Sequence, residues 1–311
     1  MHPLRGITLK LLATLAFTTM SAVIKELALQ NYPTGQMVFC RSIFALLPLM
    51  LWLGFRGEIG GMYRTRHIGR HVTRAVIGGA SMFCFFAALA YIGLPDATAI
   101  GYTVPLITVV LAALVLKETV RVYRWSAVGI GFIGVAIMLS PYLGGGALAA
   151  GGSGATLGVA LALGNCVLAA TAMVQVRQMI TQGESSGAIV FYFQLLVSIF
   201  SLITLIGGWK TPDLYGALLL FAIGILGGIG QILLVASYRH ADASLLAPFD
   251  YTSMIWAMIF GYTLFGEIPL PTVLVGAAIV IASSLFVILR EHYLVRTGRA
   301  KAKAERSAEP P

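Results

Sequence analysis

Asp250 lies in the middle of a long apolar run, SLLAPFDYTSMIWAMIFGYTLF, where an acid needs a reason. On insertion scales a carboxylate at that depth in a bilayer costs about 2.5–3.5 kcal/mol, so it faces a wet cavity or a partner. It could hold a proton, a cation or the positive group of a small solute. It could equally serve as an N-terminal acid, because Pro248 suits the first turn of a helix and an acid there meets the positive end of the dipole. The two roles are compatible, since a helix that starts inside a membrane presents its end to a cavity.

Tyr102 and Tyr251 each pair a flat apolar ring with one hydroxyl, which suits a ring-bearing ligand. Taken singly, each reads as helix packing. Asn165 and Gln231 are amides inside apolar runs; they could bind a solute or bond to a neighbouring helix for ~0.6 kcal/mol. Trp256 and Tyr91 are further candidates for a binding pocket, although a single aromatic commonly faces lipid or core. Pro105 and Pro48 each remove a backbone hydrogen bond in mid-run and predict kinks. Lys25 and Arg41, with Glu26 nearby, stand where two runs approach one membrane face; they could pair, snorkel or screen solutes at a mouth. Glu118 and Glu267 close two runs and are expected to fix helix ends.

Other chemistries lack their residues. No Ser/His/Asp set, HExxH or CxxC occurs, so no catalytic residue, metal site or cofactor is expected and the chain does not read as an enzyme. Cys40, Cys84 and Cys166 lie within apolar runs without metal-ligand spacing. The GxGxxG match at Gly129, Gly131 and Gly134 lacks the strand and soluble βαβ context of a dinucleotide fingerprint. Inside an apolar run it predicts a small-residue face for close helix packing.

The elements that must position these residues follow from composition. The 311 residues are 58% hydrophobic and only 11% charged, far from the ~25% charged typical of soluble domains. Ten apolar runs predict spans at roughly 8–28, 34–55, 72–92, 97–117, 123–140, 155–179, 187–207, 213–236, 243–265 and 271–290. The class is therefore an all-α membrane protein. Its net charge of +9 marks a membrane face rather than a nucleic-acid partner. With both termini on the cytoplasmic face, 18 of the 21 Lys and Arg fall on that side, leaving Lys25, Arg41 and Lys210 opposite. The glycine-rich stretch 141–154 reads as a linker, and 291–311 as a basic, disordered cytoplasmic tail.

Two runs echo one another. Asp96-Ala97-Thr98 and Asp242-Ala243-Ser244 open them, and Tyr102-Thr103 precedes Glu118 by the spacing with which Tyr251-Thr252 precedes Glu267. Gly6-Ile7-Thr8-Leu9 likewise answers Gly154-Ala155-Thr156-Leu157. This predicts two five-span repeats, 1–140 and 155–290. Because five is odd, the second enters the membrane inverted, around a central cavity, as in secondary transporters.

Residues 7–290 as a whole resemble the drug/metabolite transporter superfamily with two EamA-type repeats. The resemblance rests on Lys25 followed by VFCR ending at Arg41, on Pro105 in a fourth span closing at Leu116-Lys117-Glu118, and on SLLAPFDYTS leading to Leu264-Phe265-Gly266-Glu267. It implies a ten-helix carrier that moves a small organic metabolite by alternating access, its cavity lined by spans one, three, four, six, eight and nine. Many relatives carry a tryptophan in span one; this chain reads LLATLAFTTMSAVIK there. That departs from amino-acid exporters, and SYRHADASLLAPFDYTSMIWA is similar to S-adenosylmethionine or riboflavin uptake carriers. The expected partners are a small-molecule substrate, the lipid bilayer and protons as a coupling ion. The expected location is the inner membrane, multi-pass. The alternatives are an exporter of the same fold and, more remotely, a membrane-embedded enzyme or a pore.

Overall fold

A computed structural model describes residues 3–57, 60, 65, 67–115, 122–143, 153–241 and 243–308. Among them the regular structure is helical: α1 Pro3–Leu29, α2 Thr34–Phe55, α3 Ile68–Ala88, α4 Leu94–Gly101, α5 Thr103–Val115, α6 Val122–Leu143, α7 Ser153–Thr181, α8 Ser186–Ser201, α9 Leu214–His240, α10 Ala243–Leu246, α11 Thr252–Phe265 and α12 Pro271–Ala308. A 3-10 turn extends α8 over Leu202–Gly207, and another joins α10 to α11 over Ala247–Tyr251. Nine stretches among the described residues are long and apolar enough to cross a membrane. The remaining expected span, the ninth at 243–265, is present but divided among α10, the 3-10 turn and α11. Helices that close their own backbone hydrogen bonds are what a bilayer demands of such a sequence.

Local chemistry sets several ends. Asp213 caps α9 by accepting from the Gly216 N–H (2.9 Å), and Ser185 caps α8 by accepting from Ala188 N–H (3.1 Å). Both satisfy donors that the first turn leaves open. Gly266 ends α11 at φ 66°, a left-handed conformation that glycine adopts without a Cβ clash. Pro141 lies within α6. The carbonyl its missing N–H would leave open, that of Ile137, instead accepts from Ser140 Oγ (2.8 Å). The expected linker thus begins later than position 141; 144–152 lie outside the described residues.

Two other expectations change. The stretch 291–308, read as disordered, continues α12; its run of Ala, Lys, Arg and Glu is made of strong helix formers. The fourth span breaks at Tyr102, not at Pro105. Pro105 has no N–H for the Gly101 carbonyl four residues back, so the interruption falls one turn before the proline.

The helices pair in an ordered way. The principal contacts are α1 on α9, α3 on α7, α6 on α12 and α2 on both α8 and α9. The α5 helix packs on α7, α11 packs on α1, and α4 meets α11. Close approach is bought with small residues. Gly134 of α6 and Gly276 of α12 lie backbone to backbone, and a Cβ at Gly134 would come 2.9 Å from the Gly276 carbonyl oxygen. Gly131 faces Leu106 and Ser283, whereas Gly129 faces open space, so two of the three motif glycines form the packing face expected of them.

Candidate functional site

The two helix breaks meet. Tyr102 ends α4, and Tyr251 ends the 3-10 turn before α11. Their rings stand edge to face with centroids 5.1 Å apart, a favoured aromatic geometry. The Tyr102 hydroxyl lies 2.8 Å from Ser253 Oγ and donates to the Tyr251 carbonyl (3.3 Å). Breaking a helix frees backbone groups, and at membrane depth such groups must be met by protein or by a wet cavity.

A cavity of about 370 Å³ lies at this junction. Thr14, Phe17, Thr18 and Ser21 of α1 form one wall, Thr98, Gly101, Tyr102 and Pro105 another, and Asp250, Tyr251 and Ser253 a third, with Phe85 and Met173 completing it. The size suits a small organic molecule, and the lining mixes aromatic faces with hydroxyls and one carboxylate, the composition of a ligand site.

Lys10 supplies the charge opposite Asp250. Its Nζ is 2.6 Å from Asp250 Oδ1, with side chains 2% and 51% exposed respectively. The ammonium also donates to the Tyr238 hydroxyl (3.4 Å). One carboxylate oxygen is engaged, while half of the Asp250 side chain is open. Asp250 lies in the 3-10 turn ahead of α11, so the continuous helix starts two residues after it, not at Pro248.

About 22 Å further along α1, at 1.5 Å per residue, Lys25 forms a second ion pair. Its Nζ lies 2.5 Å from Glu267 Oε1 and donates to the carbonyls of Ile92 (2.8 Å) and Leu89 (3.4 Å). Three acceptors satisfy an ammonium's three donors. Glu267 Oε2 accepts from the Leu94 N–H (2.8 Å) at the start of α4. One carboxylate therefore binds Lys25 and caps α4, where a negative charge meets the helix dipole. Glu26, the sequence neighbour of Lys25, bonds instead to Gln30 Nε2 (2.7 Å).

The remaining candidates disperse. Asn165 Oδ1 accepts from Ser81 Oγ (2.8 Å), joining α7 to α3. Gln231 lines a second cavity of about 410 Å³ with Trp52 and Arg239, apart from Asp250. Tyr91 is exposed and lies over Gly154 and Gly158. Trp256 is half-buried, and its indole N–H has no partner. Arg41 is not at a mouth; it is buried and donates to Gln194 Oε1 (2.7 Å). Glu118 lies outside the described residues.

Sequence reasoning missed Lys10. As one of the 18 charges that the composition assigns to the cytoplasmic face it carries no distinguishing mark, yet it is among the largest fully buried side chains, 1% exposed. The signal was there: a lysine inside the first apolar run and an unpartnered acid inside the ninth.

An all-helical bundle with apolar spans, two broken helices and a cavity between them defines a multi-span membrane protein with a solute-sized site. The chain belongs to the EamA-like transporter family, whose model matches residues 4–140 and again 156–289. It is similar to a riboflavin transporter of Vibrio cholerae, 28% identical over 292 residues, 92% of this chain and 93% of the relative. It is also similar to an S-adenosylmethionine uptake transporter of Rickettsia bellii, 26% identical over 82% of this chain and 84% of the relative. The pseudopaline exporter CntI of Pseudomonas aeruginosa is 26% identical, over 90% and 94%. A protein crystal structure shares the fold at a TM-score of 0.63 and 16% identity, covering 93% of this chain and 98% of that one.

Proposed function

We propose that this family member is a secondary carrier that moves a small, ring-bearing organic metabolite through the cavity between Tyr102 and Tyr251, with Asp250 as its polar anchor. The observation that carries the reading is the meeting of two broken helices at matched tyrosines, beside a carboxylate that is half open to the cavity. Discontinuous helices at mid-bundle are a recurring device for binding solutes in carriers. Riboflavin and S-adenosylmethionine, the solutes of two relatives, both carry flat rings that suit the tyrosine faces.

Two five-span repeats in inverted orientation account for the helix pairing. Exchanging the halves turns the α1–α9 contact into α7–α3 and the α5–α7 contact into α11–α1, and returns α6–α12 and α2–α8 to themselves. The charge distribution supports cytoplasmic termini in the inner membrane. In that orientation Lys25 and Glu267 form a closed outer gate, and Asp250 looks toward the inner half. Alternating access then requires the Lys25 contacts to release. Protonation of Asp250 would free Lys10, which makes protons a natural coupling ion.

Counterflow in proteoliposomes tests the reading. Vesicles preloaded with riboflavin, S-adenosylmethionine, nucleosides or amino acids are challenged with the labelled compound. A carrier gives saturable uptake stimulated by internal solute, and vesicle orientation gives its direction. Linear uptake indicates a pore, and product formation indicates an enzyme.

A further inference from the structure

Among the described residues, two arginines inside the bundle have no acidic partner. Arg41 of α2 is 9% exposed; its Nη1 donates to the neutral Gln194 amide oxygen (2.7 Å), and its Nε has no partner. Arg74 of α3 stacks its guanidinium 4.3 Å from the Phe193 ring centroid, while its Nε and Nη1 are buried without partners. Phe193 and Gln194 are neighbours on α8, so both guanidiniums dock on one turn of that helix. Glycines leave room for each: a Cβ at Gly227 would come 3.1 Å from Arg41 Nε, and one at Gly78 would collide with Arg74 Nη1.

Among the described acids, Asp250 pairs with Lys10, Glu267 with Lys25 and Glu184 with His71. Guanidiniums keep their charge at any accessible pH. An uncompensated charge in a low-dielectric interior is strongly unfavourable. Arg41 Nε and Arg74 Nε and Nη1, N–H donors in rigid forks without acceptors, are the complement of an anion.

We propose that Arg41 and Arg74, with the Gln194 amide, form an anion site within the membrane, separate from the cavity at Asp250. Its ligand is a small anion, either an inorganic ion such as chloride or the carboxylate or phosphate group of a solute. Recognition is by charge and by N–H donors from two helices, and the bound anion joins α2, α3 and α8.

The test uses the purified full chain in sodium gluconate at fixed ionic strength. Chloride, acetate or phosphate replaces gluconate stepwise while Tm is recorded. A bound anion raises Tm with the logarithm of its concentration once the dissociation constant is passed. The expected result is such a rise, absent in Arg41→Gln and Arg74→Gln. Gln194→Glu provides a control that keeps both arginines: its built-in carboxylate should raise Tm in gluconate and abolish the response to added anion. A response to chloride supports an inorganic ligand; one to acetate or phosphate alone supports a solute's acidic group. The proposal is overturned if no anion moves the wild-type Tm, or if the rise persists unchanged in both arginine variants or in Gln194→Glu. Neither result depends on which compound is transported.

Discussion

The two lysine–carboxylate pairs join the same two elements, α1 and the divided ninth span, yet they are built differently. Lys25 is 5% exposed and is held by Glu267 and two backbone carbonyls, and Glu267 in turn caps α4. Lys10 is as deeply buried, but its acid is half open and holds nothing else in place. The first pair is a clamp across three elements. The second is a buried cation facing a carboxylate in a cavity. In the proposed carrier the same ionic chemistry would serve closure at one end and recognition at the other, with the surroundings deciding which.

Breaking the clamp should have the largest effect on stability. Glu267→Ala leaves the Lys25 ammonium buried with carbonyls alone and frees the start of α4; a loss of about 3–5 kcal/mol is expected, as for other broken buried pairs. Denaturant unfolding in micelles measures it, and a change below ~1 kcal/mol would show that the clamp is water-filled. Lys10→Met should cost less, within about 1 kcal/mol, because half-exposed Asp250 can turn to water; counterflow should nonetheless fall as the carboxylate loses its fixed position. Tyr102→Phe removes the hydroxyl that bonds Ser253 and the Tyr251 carbonyl. About 0.5–1.5 kcal/mol is expected, read as a several-fold rise in the half-saturating concentration for uptake. Asn165→Ala severs only the bond to Ser81; ~0.6 kcal/mol of stability should go, with uptake unchanged.

Much of this arrangement was legible in the chain. The apolar runs locate the spans because bilayer thickness leaves little choice of length, and the matched Tyr-Thr spacing anticipates a tyrosine pair that the fold brings together. The repeat also shows where the halves diverge. Aligning Tyr102 with Tyr251 sets Gly101 opposite Asp250, and aligning Gly6 with Gly154 sets Gly158 opposite Lys10 and Met173 opposite Lys25. The charges belong to one copy of each position; of these residues Asp250, Gly101 and Met173 line the cavity, and Asp250 is its one charged lining residue among those described.

What was not legible depends on contacts between distant positions. Lys10 and Asp250 are 240 residues apart, and hydropathy assigns a lysine near the end of a run to the membrane face. Arg41 was placed at a mouth for the same reason, although Gly227 makes space for it inside. Pro105 signalled a bend, but the break falls at the carbonyl it cannot serve, which requires backbone geometry rather than residue type.

The most direct test is counterflow by wild-type protein and Asp250→Asn, reconstituted at equal density and assayed from pH 5.5 to 8.5 with the solute that wild type carries. The account predicts that the variant inserts and folds but loses at least tenfold in uptake, about 1.4 kcal/mol, and loses any dependence on pH. Wild-type uptake by Asp250→Asn at every pH would contradict it and remove this carboxylate from the transport site.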